Sequence, residues 1–205
     1  MSGKPGGDYD KRDFSAAILA GGIGKRLGTN KALLEIEGRT MLDRIMEKML
    51  EVFPYVLLVV KDEDSPLSGD YGPRVEVVAD LLPGKGPLGG IYTALEHSPA
   101  PYVFVMACDM PYPNLELVRR LLSEAPGREA VIPRRGPYIE PLFAVYHRDT
   151  RPRIKKRLEA DDLKIHDFID EIDARFLEEE DICGCDPDFR SFFNINTPED
   201  LKKAH

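Results

Sequence analysis

The sequence predicts a single α/β domain in which a mostly parallel central sheet carries helices on both faces. Three observations predict it. Residues 16–20, 56–60 and 102–107 are short, uninterrupted apolar runs, as expected of strands covered on both faces. Segments with helical apolar spacing separate them, and strands alternating with helices imply crossover units and parallel pairing. The runs end in polar turns, Gly21-Gly22 after the first and Asp109 after the last.

Taken in order, residues 1–12 carry glycines and charges with no apolar core and read as a flexible tail, leaving 13–205 as the domain. The first strand, 16–20, runs into a glycine-rich turn. Over 41–53 the residues Met41, Leu42, Ile45, Met49, Leu50 and Phe53 fall at helical spacing, and Pro54 stops the helix. A strand follows at 56–60, and another through Val75, Val77 and Val78 ends at Asp80. Pro83-Gly84-Lys85-Gly86-Pro87-Leu88-Gly89-Gly90 reads as a tight, rigid loop, with a helix over 91–97. The strand at 102–107 leads into Cys108-Asp109-Met110-Pro111, and Asn114 is placed to cap a helix through 122. Strands at 130–133 and 141–146, helices at 150–158 and 163–172, and a short strand at 192–195 complete the series. Thr197-Pro198-Glu199-Asp200 opens a last helix with a cap and a first-turn proline.

A formal net charge of −8 argues against nucleic acid as a partner, because phosphate backbones call for a basic surface. A small anionic ligand remains compatible, since backbone amides, a few cations and a metal ion can hold it locally. The chain has no apolar run of membrane-spanning length and no signal-peptide pattern, so no membrane association is expected. The three cysteines, Cys108, Cys183 and Cys185, are too few and too odd in number for a disulfide framework, which fits a reducing cytoplasm. Cys183-Gly-Cys185 has no second Cys or His cluster beside it, so it reads as a pair of ordinary thiols rather than a metal site. The basic run Arg151-Pro152-Arg153-Ile154-Lys155-Lys156-Arg157 reads as a solvated helix face, with an anion- or protein-docking surface as the alternative. Glu178-Glu179-Glu180-Asp181 reads as a solvated acidic edge.

In open α/β sheets ligands bind beyond the carboxyl ends of the strands. Gly21-Gly22, Asp80 and Asp109 all sit at such ends, so one cleft is expected to gather them. The turn Leu19-Ala20-Gly21-Gly22-Ile23-Gly24-Lys25-Arg26-Leu27-Gly28-Thr29-Asn30-Lys31 suits a phosphate: glycines allow close backbone approach, and Lys25, Arg26 and Lys31 add positive charge. It matches neither the P-loop spacing nor the dinucleotide fingerprint, because Gly28 arrives one residue late. An ATPase or dehydrogenase is therefore not supported.

The turn closely resembles the signature loop of nucleotidyltransferases with a Rossmann-like sheet, with Leu27 where methionine is usual. The resemblance continues through Gly86-Pro87-Leu88-Gly89-Gly90-Ile91, Cys108-Asp109-Met110-Pro111, Pro141-Leu142-Phe143-Ala144-Val145-Tyr146 and Phe193-Asn194-Ile195-Asn196-Thr197-Pro198-Glu199-Asp200-Leu201. Together, from Ser15 onward, these motifs resemble the molybdenum cofactor guanylyltransferases, the MobA family. The resemblance implies that the N-terminal half carries the nucleotide and the C-terminal half the molybdopterin. Leu19, Ala20, Gly21 and Gly22 would contact GTP through the backbone, Lys31 through its ammonium group, and Arg26 would lie near the phosphates. Asp80 would contact the nucleotide, Asp109 would bind Mg²⁺ beside the phosphates, and Asn194 and Asn196 would lie on the molybdopterin side. Val59 stands where some members carry an asparagine, so one nucleotide contact of those members is not expected.

The implied reaction moves GMP from GTP onto the terminal phosphate of molybdopterin, with Arg26, Lys31 and Asp109 as its catalytic residues and Mg²⁺ as cofactor. The four histidines receive no role. Molybdoenzymes or other cofactor-biosynthesis proteins are the expected protein partners, in the cytoplasm. Transfer of CMP to molybdopterin, guanylyl transfer to another phosphate, and a non-catalytic nucleotide- or cofactor-carrying module are the alternatives.

Overall fold

The computed structural model describes residues 9–21 and 31–203. Strands are β1 (Phe14–Leu19), β2 (Glu35–Ile36), β3 (Arg39–Thr40), β4 (Val56–Val60), β5 (Val75–Ala79), β6 (Tyr102–Ala107), β7 (Ala130–Arg135), β8 (Tyr138–Ile139), β9 (Phe143–His147) and β10 (Ala174–Leu177). Helices are α1 (Met41–Val52), α2 (Gly86–His97), α3 (Leu115–Glu124), α4 (Arg151–Glu159), α5 (Ile165–Ile169), α6 (Glu179–Cys183) and α7 (Pro198–Lys203). The main sheet runs β10-β7-β9-β6-β1-β4-β5, with β8 folded back on β7, and β2-β3 form a separate hairpin. The pairs β1–β4, β1–β6, β4–β5 and β10–β7 are parallel; β9 runs antiparallel to both neighbours, so the sheet is mostly parallel, as expected.

Alternation along the strands explains why both faces are covered. In β4, Val56, Leu58 and Val60 join the core under α1 and α3, while Leu57 and Val59 join the core under α2 and α4. Phe104 and Met106 against Val103 and Val105 split β6 in the same way. Helix α1 forms because Met41, Leu42, Ile45, Met46, Met49 and Val52 share one buried stripe, and because the Thr40 hydroxyl accepts the Asp43 N–H at its start. The Asn114 side chain caps α3 by accepting from Glu116 and Leu117, as its position predicts.

The structure departs from the sequence reading at several places. Residues 192–195 form no strand. Arg190–Phe192 make a 3₁₀ turn, and Ile195 instead packs with Ile36 and Met41 in a third small core. Helix α2 starts at Gly86, not at residue 91. Gly86 takes a left-handed φ of 64° and Pro87 occupies the first turn, so the expected loop contributes the helix's opening turn. The helix foreseen over 163–172 contracts to Ile165–Ile169. The acidic stretch starts α6, and Glu178 bonds Arg134 while Asp181 pairs with Arg120. In the foreseen tail, Tyr9 packs edge-on against Phe14 and Lys11–Asp13 form a 3₁₀ turn.

Candidate active site at the strand ends

The parallel sheet brings distant segments together at its carboxyl edge. The Ala20 N–H donates to the Val59 carbonyl (2.8 Å) and the Cys108 N–H to the Leu19 carbonyl (3.1 Å), so the ends of β1, β4 and β6 are tied side by side. Between them opens a cleft of about 410 Å³ lined by Leu19, Gly21, Lys31, Gly86, Asp109 and Leu142, among others. Helix α2 enters it by its N-terminus. A Cβ at Gly90 would lie 3.0 Å from a Leu19 methyl, so α2 packs close against the end of β1 and a larger residue there would require Leu19 to shift. Among the described residues no side chain caps the helix start. Its first amide groups and the positive end of the helix dipole are therefore available to an anion.

Lys31 and Asp109, 78 residues apart in sequence, meet in this cleft: the ammonium donates to the Asp109 carboxylate at 3.1 Å. Their side chains are only 15% and 22% exposed. The same ammonium donates to the Asn196 side-chain oxygen. The Ile195 N–H donates to the Asp109 carbonyl (2.9 Å), which binds the C-terminal segment to the site. Asp200 accepts the amides of Asn196 and Thr197 and fixes that segment's turn. Behind it, Ile36, Met41 and Ile195 are fully buried together, which clamps the Lys31 segment against the C-terminal one. Asn194 is turned to its own chain, donating to the Phe192 carbonyl. Gly22 and Arg26, with Lys25, lie outside the described residues.

Asp80 sits at the end of β5 but does not line the cleft. Its carboxylate accepts the Leu82 N–H (3.1 Å) and the hydroxyl of the buried Thr93 (2.8 Å), while that hydroxyl accepts the Leu81 N–H (3.0 Å). The arrangement holds the 81–86 loop to α2. Thr93→Val keeps the volume nearly unchanged but leaves the Leu81 amide without its acceptor. It is expected to lower stability by roughly 1–3 kcal/mol in urea denaturation, with Thr93→Ser recovering most of the loss. An unchanged urea midpoint in Thr93→Val would show that these bonds contribute nothing net.

The donor set fits a divalent cation brought in with phosphates better than a resident metal. Asp109 supplies one carboxylate, and the described residues contain no group of three His, Cys, Asp or Glu able to cage an ion. Cys108 supplies no nucleophile: desolvation first, and Asp109 second, push its thiol up to about 12. The basic run in α4 is mostly neutralised. Arg157 is buried and paired with Asp162 (2.7 Å) and Glu171 (2.6 Å), Arg153 bonds Glu129, and Arg151 meets Glu96 (3.5 Å). Sequence reasoning missed the open start of α2 because the run of glycines and prolines there reads as a loop.

Residues 16–175 match the model of the MobA-like NTP transferase domain. The chain belongs to this family. A Methanosarcina mazei protein named "Probable molybdenum cofactor guanylyltransferase" is 38% identical over 98% of this chain and 95% of its own. The molybdenum cofactor guanylyltransferase of Syntrophotalea carbinolica is 35% identical over 92% of this chain and 89% of its own. Among solved structures, molybdopterin-guanine dinucleotide biosynthesis protein A from Archaeoglobus fulgidus superposes with a TM-score of 0.82 at 30% identity, covering 93% of this chain and 96% of that one. No described helix is long and apolar enough to cross a membrane.

Proposed function

We propose that the chain transfers GMP from GTP to the terminal phosphate of molybdopterin, giving molybdopterin guanine dinucleotide and pyrophosphate. The observation that carries this reading is the meeting of Lys31, Asp109 and the open start of α2 in one cleft, in a chain whose relatives bear the guanylyltransferase name. An oxygen of the acceptor phosphate forms a bond to the α-phosphorus of GTP, the bond to the β-phosphate oxygen breaks, and pyrophosphate leaves. A phosphate monoester with a second ionisation near pH 6 is already anionic at neutral pH, so the protein need not supply a general base or a covalent nucleophile.

Its residues have a different task, to hold two repelling anions in line and neutralise charge on the leaving group. In this reading Gly21 and the first amides of α2 receive phosphate oxygens, and Lys31 leaves Asp109 to pair with the triphosphate. Asp109 would hold Mg²⁺, which would supply charge neutralisation for the phosphates. Asn196 keeps Lys31 aligned during that exchange. The test is pyrophosphate release from purified protein with Mg²⁺ and molybdopterin, comparing GTP with CTP at equal concentration. GTP is expected to support turnover at least about tenfold faster, as a site built to bond one base rejects another. Equal or greater turnover with CTP overturns the choice of nucleotide.

A further inference from the structure

Beside the Lys31–Asp109 cleft lies a second groove of about 460 Å³, lined by Tyr112, Arg135, Glu140, Phe189, Arg190 and Phe193, among others. Two chain segments border both, and a third that lines the second groove is bonded to the first. Asp109 faces the first and Tyr112 the second; Leu142 and Glu140 divide likewise; Phe193 is two residues from Ile195, whose amide is bound to Asp109. The two cavities are therefore neighbours on one end of the sheet.

The groove's walls are unusual for this surface. The Arg190 guanidinium lies 4.3 Å from the Tyr112 ring centre, and that of Arg135 lies 4.9 Å from the Phe189 ring centre. Neither forms a salt bridge among the described residues, whereas Arg120, Arg128, Arg134, Arg151, Arg153 and Arg157 all do. A guanidinium resting on a ring is weakly hydrated and keeps its planar fork of donors free, so it can turn to an anion or stack on a heterocycle. Glu140 lines the same groove and is partly withdrawn from water; burial pushes its carboxyl upward, opposed by Arg135. It offers paired acceptor oxygens and has no salt-bridge partner among the described residues.

The turn carrying Phe189 and Arg190 is imposed from beneath. Phe189 adopts a left-handed backbone (φ 52°), uncommon for a bulky residue. The buried Asp186 carboxylate accepts the amides of Arg190 (3.1 Å) and Ser191 (2.8 Å). The Ser191 hydroxyl accepts the Asn114 N–H (2.9 Å), and the Asn114 side chain donates to the Cys185 carbonyl (2.8 Å). A buried polar network thus holds a strained turn so that one aromatic ring and one arginine face the groove.

We propose that this groove selects the acceptor, seating its flat nitrogen heterocycle against Tyr112 and Phe189. Glu140 accepts from the ring's amino and N–H edge, and Arg135 and Arg190 close over its anionic side. The inference rests on the guanylyl-transfer reading and assigns the specificity for the acceptor to residues other than Lys31, Asp109, Asn194 and Asn196. A heterocycle seated here has its phosphate arm directed along the shared segments toward Asp109.

The test uses Glu140→Gln, Arg135→Gln and Arg190→Gln, each checked for unchanged thermal unfolding. GTP affinity is measured alone by titration, molybdopterin affinity alone by fluorescence titration, and KM for each by GMP transfer. The expected result is molybdopterin affinity weakened about tenfold in Glu140→Gln and Arg190→Gln, with KM for molybdopterin rising in parallel and GTP affinity within about twofold of wild type. Unchanged molybdopterin affinity in all three variants overturns the proposal, as does weakening of GTP binding instead. Wild-type protein that binds GTP but transfers nothing to molybdopterin sinks the underlying activity, and the molybdopterin titration still decides whether the groove is its seat.

Discussion

Replacing Asp109 with asparagine is expected to lower the rate of GMP transfer by about 10²–10³-fold while leaving the protein folded. Loss of one preorganised charged group at a phosphoryl-transfer centre has an effect of that order. The substitution is nearly isosteric, and the Asp109 carbonyl still receives the Ile195 N–H, so the chain path through the site is kept. Only the negative charge beside Lys31 goes. The activity loss should not be recovered by raising Mg²⁺ to several times the wild-type optimum, if the carboxylate itself aligns the ion with the phosphates. Pyrophosphate release against Mg²⁺ concentration, beside a thermal unfolding curve, makes the measurement. A variant that stays folded and turns over within about twofold of wild type removes Asp109 from the chemistry.

The parts of the fold that could be read from sequence are those where local pattern and final environment agree. Residues 56–60 are apolar throughout because the strand is covered on both faces, and each residue reports that burial directly. Residues 192–195 are apolar apart from Asn194 for another reason: Phe193 and Ile195 pack in the small core behind the Lys31 segment, and no described strand pairs with them. β10 escaped notice because Ala174–Leu177 lies at the sheet edge with Arg175 in its middle, so its pattern is diluted. The two-residue strands β2, β3 and β8 are too short for any period to show.

The site divides the same way. Gly21 and Asp109 could be foreseen as neighbours because strand ends in a parallel sheet converge, and the family resemblance added Lys31 to them. Asp80 was foreseen at the same edge, but only the coordinates show its carboxylate engaged with Thr93 and Leu82. The second groove left no trace in sequence, since Tyr112, Arg135, Glu140 and Phe189 belong to separate segments that share no motif. It exists because β8 folds back on β7 and the Asp186 network holds the 186–191 turn opposite it.

Lys31→Met should produce two effects of opposite sign, which no general loosening of the structure would give. The ammonium lies 3.1 Å from Asp109 and bonds Asn196, so it neutralises the carboxylate and competes with any cation for it. Without it, Mn²⁺ used as a probe for the divalent ion should bind the ligand-free protein several-fold more tightly. Two like charges a few ångströms apart in a largely buried site repel by a few kcal/mol. GTP, which gains the lysine when it binds, should lose affinity by about tenfold or more, and transfer should slow by about 10²-fold as leaving-group charge goes uncompensated. The two arms are a Mn²⁺ titration without nucleotide and a GTP titration without metal. Weakening in both would mean that Lys31 is a strut for the Asp109 segment. Opposite shifts would mean that it exchanges partners, from the carboxylate in the empty cleft to the triphosphate in the filled one, so that nucleotide binding itself frees the carboxylate for the metal.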